Sequence, residues 1–391
     1  MVDLLLQDEA SSGKFLLAAA VVALILTNSP WAKGFEHIWG LHFSISFASI
    51  DISEDFRTWI NEGLMAIFFL VVGLEIKREV IRGELSTLRA ASLSIAAAIG
   101  GMVVPSLLFA VFNAGHGGEH GWGVPMTTDT AFAVGILALL GDRIPPALKI
   151  FLLSAAVVDD VGALTVIAAF YTDHISVVPL LVAAGLLATM LLLQWLRLLR
   201  LSIFVVLGVT MWFAIHASGV HASIAGAIMG LAAPIVSRSR NLTKRAIAVR
   251  LERALIPTST FIVIPLFALA NAGVSLTWSA FHTQDAVRVG LGVAAGLVIG
   301  KLVGIFLACW LMVKARLSDL PEGVNWHHIA GVGSIAGIGF TLSIFIAELA
   351  FDSPAYIVAA KMGIFAASIV SALLGLWYLR MTGKTEPGQE G

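Results

Sequence analysis

Apolar runs of about 18 to 25 residues, the length that a bilayer core demands of a helix, recur from residue 14 to residue 380. Short joints carrying charges, Gly or Pro separate them. A membrane barrel would show alternating segments of about 10 residues instead. The pattern therefore predicts an all-α integral membrane protein whose backbone polar groups are satisfied within helices. Hydropathy and helix breakers place twelve transmembrane helices, at residues 14–29, 58–82, 90–113, 122–140, 146–171, 176–198, 202–217, 219–235, 247–269, 286–312, 325–349 and 355–380. One stretch departs from the pattern. In HFSISFASIDIS (His42 to Ser53) apolar residues stand at 43, 45 and 47 and again at 50 and 52, which predicts a small extramembrane β-hairpin over 42–56, although an irregular loop also fits. The chain is read as a single membrane domain, 1–391, with the helices at 14–380 and a flexible cytoplasmic tail at 381–391.

Composition agrees with the pattern. Hydrophobic residues make up 58% and charged residues 13%, where a soluble domain has about a quarter charged, and the mean hydropathy is +0.93. The single cysteine, Cys309, excludes an intrachain disulfide framework. Asp3, Asp8 and Glu9 occupy the place of a signal peptide's basic region, so the first span is expected to be retained. A net charge of -1 gives no reason to expect a nucleic-acid partner.

The position of the charges says more. If the N-terminus is cytoplasmic, alternate joints and span ends carry nineteen of the 24 Lys plus Arg, among them Lys77, Arg78, Arg82, Arg143, Lys149 and six residues between Arg238 and Arg253. Opposite them stand only Lys33, Arg57, Arg288 and Lys361. The positive-inside rule then puts both termini in the cytoplasm, as an even number of spans requires.

Lys301, in GLVIGKLVGIF, belongs to neither side. At about 1.5 Å per residue it lies roughly 17 Å from the cytoplasmic end of its span. Asp159, in VVDDVGAL, lies roughly 20 Å from that side and Asp129, in TTDTAF, roughly 17 Å. Ionisable residues thus meet at one depth. At the same level Pro125 removes a backbone donor from the fourth span, and Gly337 and Gly339 weaken the eleventh in GSIAGIGFT. Interrupted spans in corresponding positions of two halves point to a transporter site. Spans 3–5 start in the cytoplasm and spans 10–12 outside it, so a repeat relating them is inverted.

Three aspartates and a lysine at this depth cost on the order of 10 kcal/mol before pairing. Lys301 offsets one carboxylate, and a purely structural ion pair leaves two unexplained. Asp159 and Asp160 point about 100° apart on a helix, so their roles should differ. Carboxylates, the Thr128 hydroxyl and loosened backbone carbonyls are the oxygen ligands that a hard cation wants. Protons and a metal ion would compete for the same carboxylate oxygens, which is the minimum that an exchanger needs.

These residues resemble the bacterial NhaA family of sodium/proton antiporters over essentially the whole chain. MAIFFLVVGLEIKRE, TTDTAFAVGILALLG, VVDDVGAL, SGVHASIAG, IPLFALANAGVSL, IGKLVGI, LPEG and GIGFTLSIFIA occur in the family's order. The resemblance implies an electrogenic exchanger of the bacterial inner membrane, surrounded by lipid, which expels Na+ or Li+ and takes up two protons per sodium without a cofactor. It implies Asp160 as the central cation ligand beside Asp159, and Lys301 as the partner of Asp159 in charge coupling. Asp129 resembles the residue that balances the half-helix ends where the two discontinuous helices, bearing Gly337 and Gly339 on one, cross at the midplane. The hairpin is similar to the element through which the family forms homodimers. Alkaline activation is implied for Glu75, Lys77, Arg78, Glu79 and Glu252; His221, in SGVHASIAG, is a further titrating candidate by residue type, although a lone histidine on a helix face is more often a satisfied packing residue. Glu75 and Glu79, one turn apart, also fit an ordinary solvated face. Val249 and Arg253 stand where familiar members have Lys and His, a departure that bears on the pH profile.

Two other classes remain. An intramembrane aspartyl protease would carry one aspartate on each of two helices, in YD and GxGD patterns, whereas here the pair is adjacent and no GxGD occurs. A sodium-coupled symporter would need a midplane pocket large enough to read an organic solute.

Overall fold

The computed structural model describes residues 2–47, 50–172, 175–234, 247–275 and 283–382. Residues 383–391 of the expected tail, the hairpin tip Ala48–Ser49 and the basic residues Arg238, Arg240, Lys244 and Arg245 lie outside the described residues. In chain order the elements are α1 (Val2–Thr27), α2 (Ala32–Trp39), β1 (His42–Phe47), β2 (Ile50–Asp55), α3 (Phe56–Thr58), α4 (Met65–Arg82), α5 (Leu88–Asn113), α6 (Thr130–Ala138), α7 (Pro146–Phe170), α8 (Val177–Trp195), α9 (Leu201–Ala217), α10 (Ser223–Ala232), α11 (Ile247–Thr258), α12 (Ile264–Asn271), α13 (Gln284–Ala295), α14 (Lys301–Lys314), α15 (Trp326–Ile335), α16 (Phe340–Ala350) and α17 (Pro354–Thr382).

The apolar runs are helices. Among the described residues six helices are long and apolar enough to cross a membrane, and two pairs bent at a break qualify together: Gly13–Thr27 with Ala32–Trp39, bent by 119°, and Trp326–Ile335 with Phe340–Ala350, bent by 50°. The hairpin expected from alternation is also present. β1 and β2 pair antiparallel with His42 opposite Asp55 and Phe47 opposite Ile50, and Asp55 caps α3 by accepting from the Thr58 N–H at 2.7 Å.

Local structure departs from the hydropathy pattern in four respects. α1 starts at Val2 rather than residue 14, because hydropathy marks the apolar part of a helix and not its polar extension. α2 was unforeseen: eight residues, with Phe35 and Trp39 buried one turn apart. The fourth span opens as a tight 3-10 turn, Glu119–Met126, as Gly121, Gly123 and Pro125 weaken an α-helix there. Finally, wide π-helical turns at Trp59–Leu64, Ser259–Val263 and Gly296–Gly300 interrupt helices without ending them. The second of these lies between Pro257 and Pro265, residues that each remove a backbone donor from the ladder.

The chain falls into two compact units. One comprises Met1–Leu17, Arg82–Ala163 and Val274–Gly391. Within it α5 packs along α14, and α17 along α13 and α15. α5 and α14 approach so closely that a Cβ on Gly304 would fall 2.1 Å from the Gly100 carbonyl oxygen, which only glycine permits. The other unit comprises Ala18–Ile81 and Leu164–Gly273. Its core gathers Leu70, Met190, Phe204, Met211 and Met229, and Trp212 stacks between Trp59 and His216.

Candidate functional site

Both broken helices belong to the first unit, and they meet at their breaks. Thr127 to Asp129 run extended between the 3-10 turn and α6, and Ala336 to Gly339 separate α15 from α16. The Asp129 N–H donates to the Ile338 carbonyl at 2.6 Å. The Thr128 hydroxyl donates to the Ala336 carbonyl at 3.0 Å. The hydroxyls of Thr127 and Ser343 are 3.0 Å apart. Backbone groups freed by one break are thus satisfied by the other, as a buried chain requires.

The crossing brings two helix N-termini together, those of α6 and α16. Asp129 serves both. Its Oδ1 accepts from the Phe132 N–H at 3.1 Å, while Oδ2 accepts from the Thr341 N–H at 3.1 Å and the Thr341 hydroxyl at 2.6 Å. A carboxylate there answers the positive end of each helix dipole. The glycines of the break have a steric role. A Cβ on Gly337 would lie 2.4 Å from both the Leu297 carbonyl oxygen and the Ser371 hydroxyl, so the break is held against the π turn that precedes Lys301.

Lys301 is the first residue of α14, directly after that turn. Its Nζ lies 2.8 Å from Asp159 Oδ2, with the lysine and aspartate side chains 1% and 4% exposed. Among the described residues Oδ1 of Asp159 has no hydrogen-bond partner although it is buried. Thr128 stands close enough to act on the same carboxylate. Asp160, the next residue on α7, is also buried. Asp159, Lys301, Thr128 and Ala336 line one small cavity of ≈ 20 Å³, room for about one water. Phe151 lines this cavity and also a wider one of ≈ 510 Å³ that carries the carboxylates of Glu84, Asp319 and Glu322. Among the described residues no three His, Cys, Asp or Glu side chains converge as around a resident metal ion. A cation held by the Asp159–Asp160 pair would therefore draw further oxygens from hydroxyls, carbonyls or water.

The structure thus gathers Asp129, Thr128, Asp159, Lys301, Gly337 and Gly339 about one crossing, with Asp160 beside them. The residues read as pH-sensing are divided. Lys77 donates to the carbonyls of Leu231 and Ala233, both at 2.7 Å, at the C-terminal end of α10. Arg78 pairs with Glu252 at 2.5 Å, and Glu75 and Glu79 lie on the same α4. His221 sits at the other end of α10, roughly 15 Å away by helix rise. Its Nδ1 is 3.0 Å from Glu62 Oε1 and its Nε2 is 2.8 Å from the Tyr171 carbonyl. Both ring nitrogens face acceptors, so both contacts are hydrogen bonds only when the ring is doubly protonated or Glu62 carries a proton.

Sequence reasoning did not assign Thr341, Ser343 or Glu62. Thr341 ended the stretch read as a break, and Glu62 is an acid in the first turns of a predicted apolar span, so the second had a visible signal. Lys361, counted by sequence among the basic residues of the non-cytoplasmic joints and span ends, is buried and pairs with Glu348 at 2.5 Å.

Broken apolar helices that cross on hydroxyl, carbonyl and carboxylate groups, beside a buried lysine, define an integral membrane protein with a polar centre. A profile described as Na+/H+ antiporter 1 matches residues 3–379, and the chain belongs to that family. It is similar to the Na(+)/H(+) antiporter NhaA 3 of Frankia alni, at 42% identity over 98% of this chain and 89% of the relative. It is likewise similar to the NhaA antiporter of Oleidesulfovibrio alaskensis, at 43% over 95% and 92%, and to that of Escherichia coli, at 45% over 96% of each chain.

Proposed function

We propose that the chain is an electrogenic antiporter of the bacterial inner membrane that extrudes Na+ or Li+ from the cytoplasm in exchange for periplasmic protons, two per sodium, and is activated at alkaline pH. It is a transporter, not an enzyme, and uses no cofactor. In this reading twelve helices span the membrane with both termini cytoplasmic, spans 3–5 and 10–12 form an inverted repeat, and the 42–56 hairpin joins two copies.

The observation that carries the proposal is the buried Lys301–Asp159 pair with Asp160 beside it. A sodium ion bound by Asp160 and Asp159, with Thr128 and waters completing the shell, takes the place of Lys301 on Asp159. The freed lysine and the carboxylates are then the groups that exchange protons for the ion, so sodium and protons exclude one another at a single site. Two protons inward for one sodium outward moves one net charge, which makes the cycle sensitive to membrane potential. Asp129 remains at the helix ends and does not exchange. The acidic cavity bearing Glu84, Asp319 and Glu322 is the cytoplasmic approach, where negative charge raises the local cation concentration. The names of the relatives support the choice of ions. A cavity with room for about one water supports an inorganic ion over an organic solute, and an adjacent carboxylate pair on one helix does not form a protease dyad.

Inside-out vesicles with an acid interior test the proposal. Sodium is expected to dissipate the acid in wild-type vesicles and not in those with Asp160→Asn. Sodium-independent collapse would indicate a leak, and retained exchange in Asp159→Asn/Asp160→Asn would remove the site. An imposed potential without a pH gradient should drive sodium flux, and no response would mean one-for-one exchange.

A further inference from the structure

The polar centre leaves one buried histidine unused. His328 lies in the first turn of α15 and is 3% exposed. Asn325 caps that helix. Its Oδ1 accepts from the His328 N–H at 3.0 Å, and its own backbone N–H donates to Nδ1 of the His328 ring at 3.2 Å. This is a capping box, whose third helical position ordinarily carries Glu or Gln, acceptors that survive mild acid. An imidazole nitrogen accepts only while it carries no proton, and histidine changes charge between about pH 5 and 8. Protonation at Nδ1 turns the acceptor into a donor that faces a donor. It also sets a positive charge at the positive end of the helix dipole, so both effects work against the cap.

What hangs on the cap is the polar centre. α15 is ten residues long, and the residue after it, Ala336, supplies the carbonyl that holds Thr128 beside Asp159 and Lys301. The surrounding charges do not substitute for the cap. On α15 itself His327, the residue before His328, bonds the Tyr378 hydroxyl at 2.9 Å. α17 brings Tyr378 and Arg380 to the elements packed on α15, α14 ends in Lys314 followed by Arg316, and the preceding loop carries Asp319 and Glu322.

We infer that His328 is a positioning residue that makes the α15 cap proton-sensitive: with a bare Nδ1 it holds the half-helix that positions Thr128, and protonated it releases Asn325 and slackens the crossing, slowing exchange. The inference deepens the antiport reading and rests on it. By the orientation drawn from the basic residues, the cap faces the cytoplasm, so it reads cytoplasmic acid.

The test is sodium-dependent proton exchange in inside-out vesicles between about pH 5.5 and 9 for wild type, His328→Gln, His328→Ala and the neighbouring control His327→Gln. Glutamine keeps an acceptor that does not titrate. His328→Gln should therefore keep its alkaline rate and extend its acid limb by about half a pH unit or more, while His328→Ala should lose rate throughout the range. An unchanged acid limb in a fully active His328→Gln overturns the inference and leaves the antiport reading standing. Absence of sodium-dependent exchange in wild type at every pH overturns the antiport reading itself. Should glutamine impair folding, 15N NMR of histidine-labelled wild type decides directly: Nδ1 must be unprotonated at alkaline pH and protonated in acid, and a proton on Nδ1 at alkaline pH refutes the cap.

Discussion

Replacing Lys301 by methionine isolates the energetics of the buried pair. Methionine fills much of the lysine stem's volume and adapts to irregular space, so the change is chiefly electrostatic. The ammonium is 2.8 Å from Asp159 Oδ2, and both side chains are almost fully buried. The carboxylate already has one buried oxygen without a hydrogen bond among the described residues, so loss of the lysine removes the counter-charge of a group that is already incompletely satisfied. Removing one partner of a buried pair costs about 3 to 5 kcal/mol, because the remaining charge is stranded.

Neutralising that charge should recover the loss. Lys301→Met/Asp159→Asn is expected to regain most of it, since neither member then needs a counter-charge, and the coupling across the double-mutant cycle should exceed about 2 kcal/mol. The assay is equilibrium unfolding of purified protein in detergent, read from near-ultraviolet circular dichroism for all four corners of the cycle. If Lys301→Met destabilises as expected and Asp159→Asn fails to rescue it, the pair is not the source of the cost. A loss below about 1 kcal/mol would mean that the lysine is solvated, as in an exposed pair, and not bound to Asp159 as found.

Further outcomes follow from the crossing and from the pH-linked clusters. Thr341→Val deletes the 2.6 Å hydroxyl bond to Asp129 and should cost about 1.5 to 3 kcal/mol, the worth of a hydrogen bond to a charge, with slowed exchange; unaltered unfolding would refute a load on that bond. Gly337→Ala drives a Cβ to 2.4 Å from the Leu297 carbonyl and the Ser371 hydroxyl and should cost about 1 to 3 kcal/mol as overpacking, without recovery in Gly337→Ala/Ser371→Ala, because the backbone clash persists. Arg78→Gln breaks a pair whose side chains are 43% and 24% exposed, so its stability cost should stay below about 1 kcal/mol; any large effect should appear only in the pH profile of exchange.

Legibility followed the range of the interactions. Helices of the membrane-spanning type, the hairpin and both breaks announce themselves within a few residues, through apolar run length, period-two alternation at 43, 45 and 47, and Pro125, Gly337 and Gly339. Depth bookkeeping also brought Asp129, Asp159 and Lys301 to one level, because helix rise converts residue counts into distance. It could not find Thr341 for Asp129, 212 residues away, or Glu62 for His221, 159 residues away, since no local pattern encodes such partners. The π turn at Gly296–Gly300 was equally silent. Hydropathy is blind to whether a helix closes its hydrogen bonds four or five residues back.

The division of labour among the carboxylates follows from the same geometry. Each helix N-terminus carries about half a positive charge, and one ionised carboxylate placed against two of them leaves the crossing near neutrality. Asp129 in its ionised form would meet this condition, since it accepts from the N–H groups of Phe132 on α6 and Thr341 on α16. The crossing therefore needs no bound cation to hold it together. Asp159 is engaged differently, by the Lys301 ammonium at 2.8 Å, and Asp160 is buried at the next position. In the proposed cycle the exchangeable charge lies on Asp159, Asp160 and Lys301, while the charge of Asp129 stays at the helix ends. Under the proposed cycle such a site would lose its ion without losing its fold, which is what a carrier requires at the turning point of its cycle.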